Sequence, residues 1–200
     1  MGDAIYTDMR IPMFQSLIIK SRHLTLLCVL VAFVAGGAGW FFVSAEKKVV
    51  GLFIAACLSW LTFVDIERKI LPNVLTYGLI AGGLIWTFIF RPDALVHHIS
   101  GAMGGFALFW LISFYYLKRR KKVGLGLGDA KLFAAAGAWL GWYALPSVML
   151  ISATTGLFYA VVRALVEKRW SPDMRIAFGP FLAVGFWIVW LLGPIQNNPF

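Results

Sequence analysis

Seven apolar runs, at 24–45, 49–66, 74–90, 95–117, 130–146, 147–164 and 178–195, occupy most of the chain. The hydrocarbon core of a bilayer is about 30 Å thick, and about 20 helical residues cross it. Within that core a backbone N–H or C=O has no water to turn to, so a spanning segment must satisfy its own backbone. Long, unalternating apolar runs do so as helices. The expected fold is therefore an all-α polytopic transmembrane helix bundle of about seven helices, with six as the alternative. The composition agrees, being 60% hydrophobic and only 14% charged. No Pro/Ser-rich linker or low-complexity tract divides the sequence. Residues 1–23 are expected to form an N-terminal tail and residues 24–200 a single membrane-embedded domain. Two boundaries rest on less. Leu145-Pro146-Ser147 alone separates two runs, and Val43-Ser44-Ala45 imitates a signal-peptide cleavage site. The run before that site exceeds the 7–15 residues of an ordinary signal core, which favours a retained helix.

The net charge of +9 raises the question of nucleic acid. Its distribution answers it. When the loops are assigned alternately to the two faces, fifteen of the 18 basic residues fall on one side, leaving only Lys47, Lys48 and Arg91 on the other. That asymmetry places the N-terminus and the basic loops in the cytoplasm and the C-terminus outside. The run Lys118-Arg119-Arg120-Lys121-Lys122 is then a topology determinant attracted to anionic lipid headgroups, each charge contributing about 1 kcal/mol. No motif for base stacking or groove reading is present, so nucleic acid is not expected as a partner; membrane lipids are. Cys28 and Cys57 lie inside apolar runs without a CxxC pair, and His23, His97 and His98 have no metal-ligand spacing. Neither a metal nor an organic cofactor is expected. His97-His98 is expected to be an interfacial pair at the outer end of a helix.

Two acids stand apart from the loop charges. A carboxylate at mid-helix in lipid costs about 2.5–3.5 kcal/mol on insertion scales, so an acid kept near the bilayer usually has a task. Asp65 is expected at the end of the 49–66 helix, where a carboxylate opposes the helix dipole. Its bland alternative is the first polar residue of a loop. Asp129 follows glycines at 124, 126 and 128 and precedes the next helix. Its bland alternative is an N-cap. Yet alternating glycines permit close backbone approach, which a plain linker does not need. A phosphate cradle is excluded on detail, since Gly-Lys-Ser/Thr, GxGxxG and a preceding strand are all missing. Topological alternation puts both acids on the cytoplasmic side. Packed together there, they would share a proton, one acting as acid while the other activates water. This is the requirement of an aspartic dyad for peptide hydrolysis.

Four blocks carry a more specific resemblance: Asp65 with Leu71-Pro72-Asn73; Gly126-Leu127-Gly128-Asp129 with Lys131-Leu132; Gly137-Ala138-Trp139-Leu140-Gly141-Trp142; and Phe178-Gly179-Pro180-Phe181. Across residues 50–190 the chain resembles the type IV prepilin peptidases, membrane aspartic proteases of the GxGD type. The resemblance implies a catalytic pair, Asp65 and Asp129, with Gly126, Gly128 and Lys131 in support. The implied substrates are prepilins or type II secretion pseudopilins, whose short basic leader is cut after Gly at the cytoplasmic face of the bacterial inner membrane. Larger members are similar but add an N-terminal methylating domain with paired CxxC motifs. None is found in residues 1–23, so peptidase activity without methyl transfer is expected. The alternatives are another GxGD intramembrane protease and a non-catalytic membrane scaffold or transporter. Lys131 has two readings: it tunes the acids or contacts substrate carbonyls, or it snorkels to headgroups.

Overall fold

A computed structural model describes residues 45–69, 71–120, 126–167 and 177–193. They form six α-helices: α1 (Ala45–Arg68), α2 (Asn73–Phe90), α3 (Leu95–Arg120), α4 (Leu127–Leu140), α5 (Leu145–Glu167) and α6 (Gly179–Leu192). Single 3-10 turns precede α3 and α5, at Pro92–Ala94 and Trp142–Ala144. The expected helix at 24–45, up to residue 44, and the tail at 1–23 lie outside the described residues, as do Gly124, Lys121 and Lys122. The other six expected runs each coincide with one helix, and the chain is an all-α bundle.

The helices are of two kinds. Four of them, two together with the 3-10 turn that precedes them, give stretches long and apolar enough to cross a membrane: Lys48–Arg68, Asn73–Phe90, Pro92–Arg119 and Trp142–Leu165. Each of these buries only a stripe. In α1 the stripe is Ile54, Leu58, Leu61, Thr62 and Asp65; in α2 it is Thr76, Leu79, Gly83 and Thr87. The spacing of three and four residues is that of one helix face, and the remaining apolar side chains point outward, as they should in lipid. By contrast, α4 and α6 have 14 residues each and are buried almost all round, from Asp129 to Trp139 and from Gly179 to Trp187. At 1.5 Å per residue each is about 21 Å long, too short to span the hydrocarbon alone. The sequence reading of 130–146 as a full span is corrected here. Gly141 takes φ 81°, the chain turns through Trp142–Ala144, and α5 starts at Leu145 rather than after Pro146.

The two short helices form the centre. α4 packs against α2, α3 and α6, and α6 packs against α5, α1 and α4. Because lipid tails are as apolar as the helices, association relies on close packing and interhelical hydrogen bonds. The closest approach is Gly137 of α4 on Gly101 of α3, where any side chain on Gly137 would drive into the Gly101 backbone. Trp139 Nε1 donates to the Leu79 carbonyl at 2.8 Å and ties α4 to α2. The far end of the bundle is closed by His98. It is buried, and its Nδ1 lies 2.9 Å from the Ala138 carbonyl and 3.2 Å from Thr87 Oγ1. A carbonyl only accepts, so Nδ1 carries the proton. His98 is thus a three-helix pin, not the interfacial residue expected. His97 is exposed, and its Nδ1 accepts from Trp142 Nε1 at 3.2 Å.

Candidate active site

The opposite end gathers the C-terminus of α1 and the N-termini of α2, α4 and α6. Asp65 belongs to the buried stripe of α1, eleven residues after Ile54, so the face that packs the core also aims this carboxylate inward. The helix continues past it to Arg68 and stops at Lys69, whose N–H bonds the Asp65 carbonyl at 2.9 Å with φ 53°. Asp65 is therefore not a loop residue; it stands in the last turn of α1, near the helix end where it is expected, 5% exposed.

Asp129 is 8% exposed and is the third residue of α4. The N-cap is Gly126, not Asp129, and the Asp129 carboxylate reaches back to the Gly126 backbone N–H. This is half of a capping box, and it fixes the side chain over the start of the helix. Gly128 explains its own lack of a side chain, because a Cβ there would lie 2.7 Å from Leu71 Cδ1. The glycine thus lets the 71–73 segment and the first turn of α4 lie against each other.

Three further contacts complete the end of the bundle. Lys131 Nζ donates to Asn73 Oδ1 at 2.6 Å and stands 4.9 Å from the centre of the Tyr77 ring. Its ammonium is directed to α2, and the influences on the Asp129 proton come from elsewhere. Gly179, the first residue of α6, lies directly on Asp65: a Cβ there would be 2.5 Å from Asp65 Oδ2. Its N–H hydrogen-bonds the carboxylate, so the positive end of α6 faces Asp65. Asp65 Oδ2 itself is buried with no hydrogen-bond partner among the described residues, and the same is true of Thr62 Oγ1 one turn earlier.

The two carboxylates, 64 residues apart in sequence, face each other closely enough to interact. Burial pushes the Asp129 carboxyl up to about 7, the Asp65 charge adds to the rise, and the Gly126 hydrogen bond opposes it. One acid that keeps its proton near neutrality, beside a second carboxylate, is the arrangement that acid–base catalysis on a peptide bond requires. Among the described residues no three His, Cys, Asp or Glu side chains converge as a metal site. Sequence reasoning expects Asp65 and Asp129 on one face with Gly126, Gly128 and Lys131 beside them, and the structure brings all five to this end, together with Gly179. Sequence reasoning gives no sign that Lys131 bonds Asn73, because nothing local announces a partner 58 residues away.

A family model described as the type IV leader peptidase family matches residues 52–161. The chain is 38% identical over 147 residues to the "Prepilin leader peptidase/N-methyltransferase" of Aeromonas hydrophila, covering 72% of this chain and 50% of that protein. The protein of the same name from Pectobacterium carotovorum subsp. carotovorum is 34% identical over 198 residues, covering 91% and 68%. That from Escherichia coli K12 is 38% identical over 135 residues, covering 67% and 59%. The chain thus spans about half the length of several of the curated relatives it matches. No solved structure matches it. The family model covers more than half of the chain and these relatives are more than 30% identical to it, so the chain belongs to the type IV leader peptidase family.

Proposed function

We propose that this protein removes the short basic leader of prepilins or pseudopilins, cutting after Gly, with Asp65 and Asp129 as the catalytic pair. The observation that carries this reading is the meeting of two buried carboxylates from different helices at one end of the bundle. Asp129 holds its proton near neutral pH and serves as the acid. Asp65, beside the N-terminus of α6, serves as the base that takes a proton from water as the water attacks the scissile carbonyl. Asp129 then supplies a proton to the leaving amine, and the roles reset by proton exchange. Gly126 caps α4 with the N–H that the Asp129 carboxylate reaches, and Gly128 lets the first turn of α4 lie against Leu71. Lys131 supports the site indirectly, by holding that turn to Asn73.

The reading includes an orientation. Arg68, Lys69, Lys118, Arg119 and Lys131 lie at the aspartate end of the helices, whereas Lys48 and Arg91 lie at the other. The positive-inside rule favours the aspartate end as cytoplasmic, in the bacterial inner membrane. A pilin precursor would there present its leader to the carboxylates while its apolar helix stays in lipid. The relatives' names also carry methyl transfer; leader cleavage alone is assigned here. The experiment is to incubate the purified protein, in detergent or liposomes, with a tagged prepilin and determine both new termini by mass spectrometry. A cut after the leader Gly supports the reading, and an intact precursor with several prepilins overturns the substrate class.

A further inference from the structure

Five threonines fall among the described residues, and four of them bond back to a carbonyl of the preceding helical turn. Thr76 Oγ1 donates to Pro72 and Asn73, Thr87 to Gly83 at 2.9 Å, Thr154 to Leu150 at 2.7 Å, and Thr155 to Ile151 at 2.8 Å. That local bond is the ordinary way for a hydroxyl to live in an apolar helix. Thr62 is the exception. It is 4% exposed on the core stripe of α1, and its hydroxyl makes no hydrogen bond among the described residues.

One helical turn later stands Asp65, whose Oδ2 is the other buried oxygen without a partner. Residues three apart share a helix face, with Cβ atoms about 5–6 Å apart. Helical side chains also lean toward the N-terminus, so the Asp65 carboxylate leans over the turn that carries Thr62. A buried hydroxyl and a buried carboxylate oxygen, both unsatisfied among the described residues and one turn apart on one helix face, are complementary: one donates and the other only accepts. Burying two such groups unpaired is costly, and native proteins rarely leave them so without a reason.

We propose that Thr62 is a positioning residue for Asp65, its hydroxyl donating toward Oδ2 directly or across one water when substrate occupies the site. The inference rests on the reading of Asp65 as the catalytic base. With Gly179 N–H on the carboxylate from α6 and Thr62 from within α1, Asp65 is held from two sides in the geometry that faces Asp129. A hydroxyl donor also favours the ionised carboxylate, which is the form that takes the proton from water. Among the described residues the other charges acting on Asp65 are two. Asp129 faces it from α4 and Lys69 lies just past the end of α1. Neither α2 nor α6 contains an ionised residue, Tyr77 being the one titratable side chain on α2.

The test compares wild type, Thr62→Val, Thr62→Ser and Asp65→Asn in prepilin cleavage, with thermal unfolding measured on each. Valine has the shape of threonine without the hydroxyl. If Thr62 were only structural, Val would leave the rate unchanged, because it removes an unpaired buried hydroxyl and keeps the packing. The expected result is a Val variant at least as stable as wild type, with kcat lowered about tenfold or more and KM little changed, as for loss of one hydrogen bond to a charged group. The acidic limb of its rate profile should move to higher pH, since the base has lost a donor to its ionised form. Ser should restore most of the rate. Wild-type rate and pH profile in the Val variant overturn the inference while leaving the aspartates in place. A wild-type protein that cleaves no prepilin, or an Asp65→Asn variant that still cleaves, overturns the reading beneath it.

Discussion

Gly179→Ala separates the fold from the site. Gly179 begins α6 and its backbone lies on the Asp65 carboxylate, with a Cβ falling 2.5 Å from Oδ2 and 3.1 Å from Cγ. Ordinary contact lies near 3.5 Å, so the carboxylate must retreat by roughly 1 Å. Nothing else about the substitution is unfavourable. The residue is helical, and alanine loses less backbone entropy there than glycine, an advantage of about 0.5–1 kcal/mol. The clash therefore falls on one side chain whose position is the point of the site. A misplacement of about 1 Å at a reacting group costs on the order of 100-fold in rate, equivalent to about 2.7 kcal/mol of transition-state stabilisation. We expect kcat for prepilin cleavage to fall by that factor, with unfolding in detergent within about 1 kcal/mol of wild type. The assay is a time course of leader removal on purified protein, paired with a thermal melt. An alanine variant that cleaves at the wild-type rate would refute the claim that Asp65 acts from the position seen here.

Two further outcomes follow from the same contacts. Gly137→Ala drives a methyl into the backbone of Gly101, which cannot yield without parting α3 from α4; the expected loss is about 3 kcal/mol or more, read as a lowered unfolding temperature, because overpacking against backbone exceeds the usual 1–3 kcal/mol. The Asp129 proton gives a pH signature. Its carboxyl is raised in the folded protein to about 7, so between its unfolded value and that pH the folded state binds more protons and stability falls as pH rises. Asp129→Asn should therefore be more stable than wild type above pH 7, with the difference narrowing toward pH 4, and the wild-type cleavage rate should decline above about pH 7 as the acid is lost.

Much of this architecture was legible from apolar periodicity. Six of the expected runs match helices, and the spacing of Ile54, Leu58, Leu61 and Asp65 on one face was written in the residues themselves. What hydropathy missed was the length of α4. Trp142, Tyr143 and Ala144 are as apolar as a helix interior, so the run continues through a turn that only Gly141, at φ 81°, makes possible. The bland alternative for Asp129, an N-cap, falls instead on Gly126: an acid before an apolar helix suits both the N-cap and the third position, and the choice depends on which N–H it reaches. Lys131 illustrates a deeper limit. Its partner Asn73 is 58 residues away, and only the packing of α4 on α2 brings the two together. His98 differs from the expectation for the same reason, its partners lying on α2 and α4.

The central claim is that Asp65 and Asp129 form one catalytic unit. It is tested most directly by expressing wild type, Asp65→Asn and Asp129→Asn with a tagged prepilin and following the size shift of leader loss, with membrane insertion checked for each. Wild type is expected to process the precursor, and each variant to insert normally yet leave it intact. A processed precursor with either variant would contradict the claim, because a dyad that shares one proton cannot work with a single carboxylate.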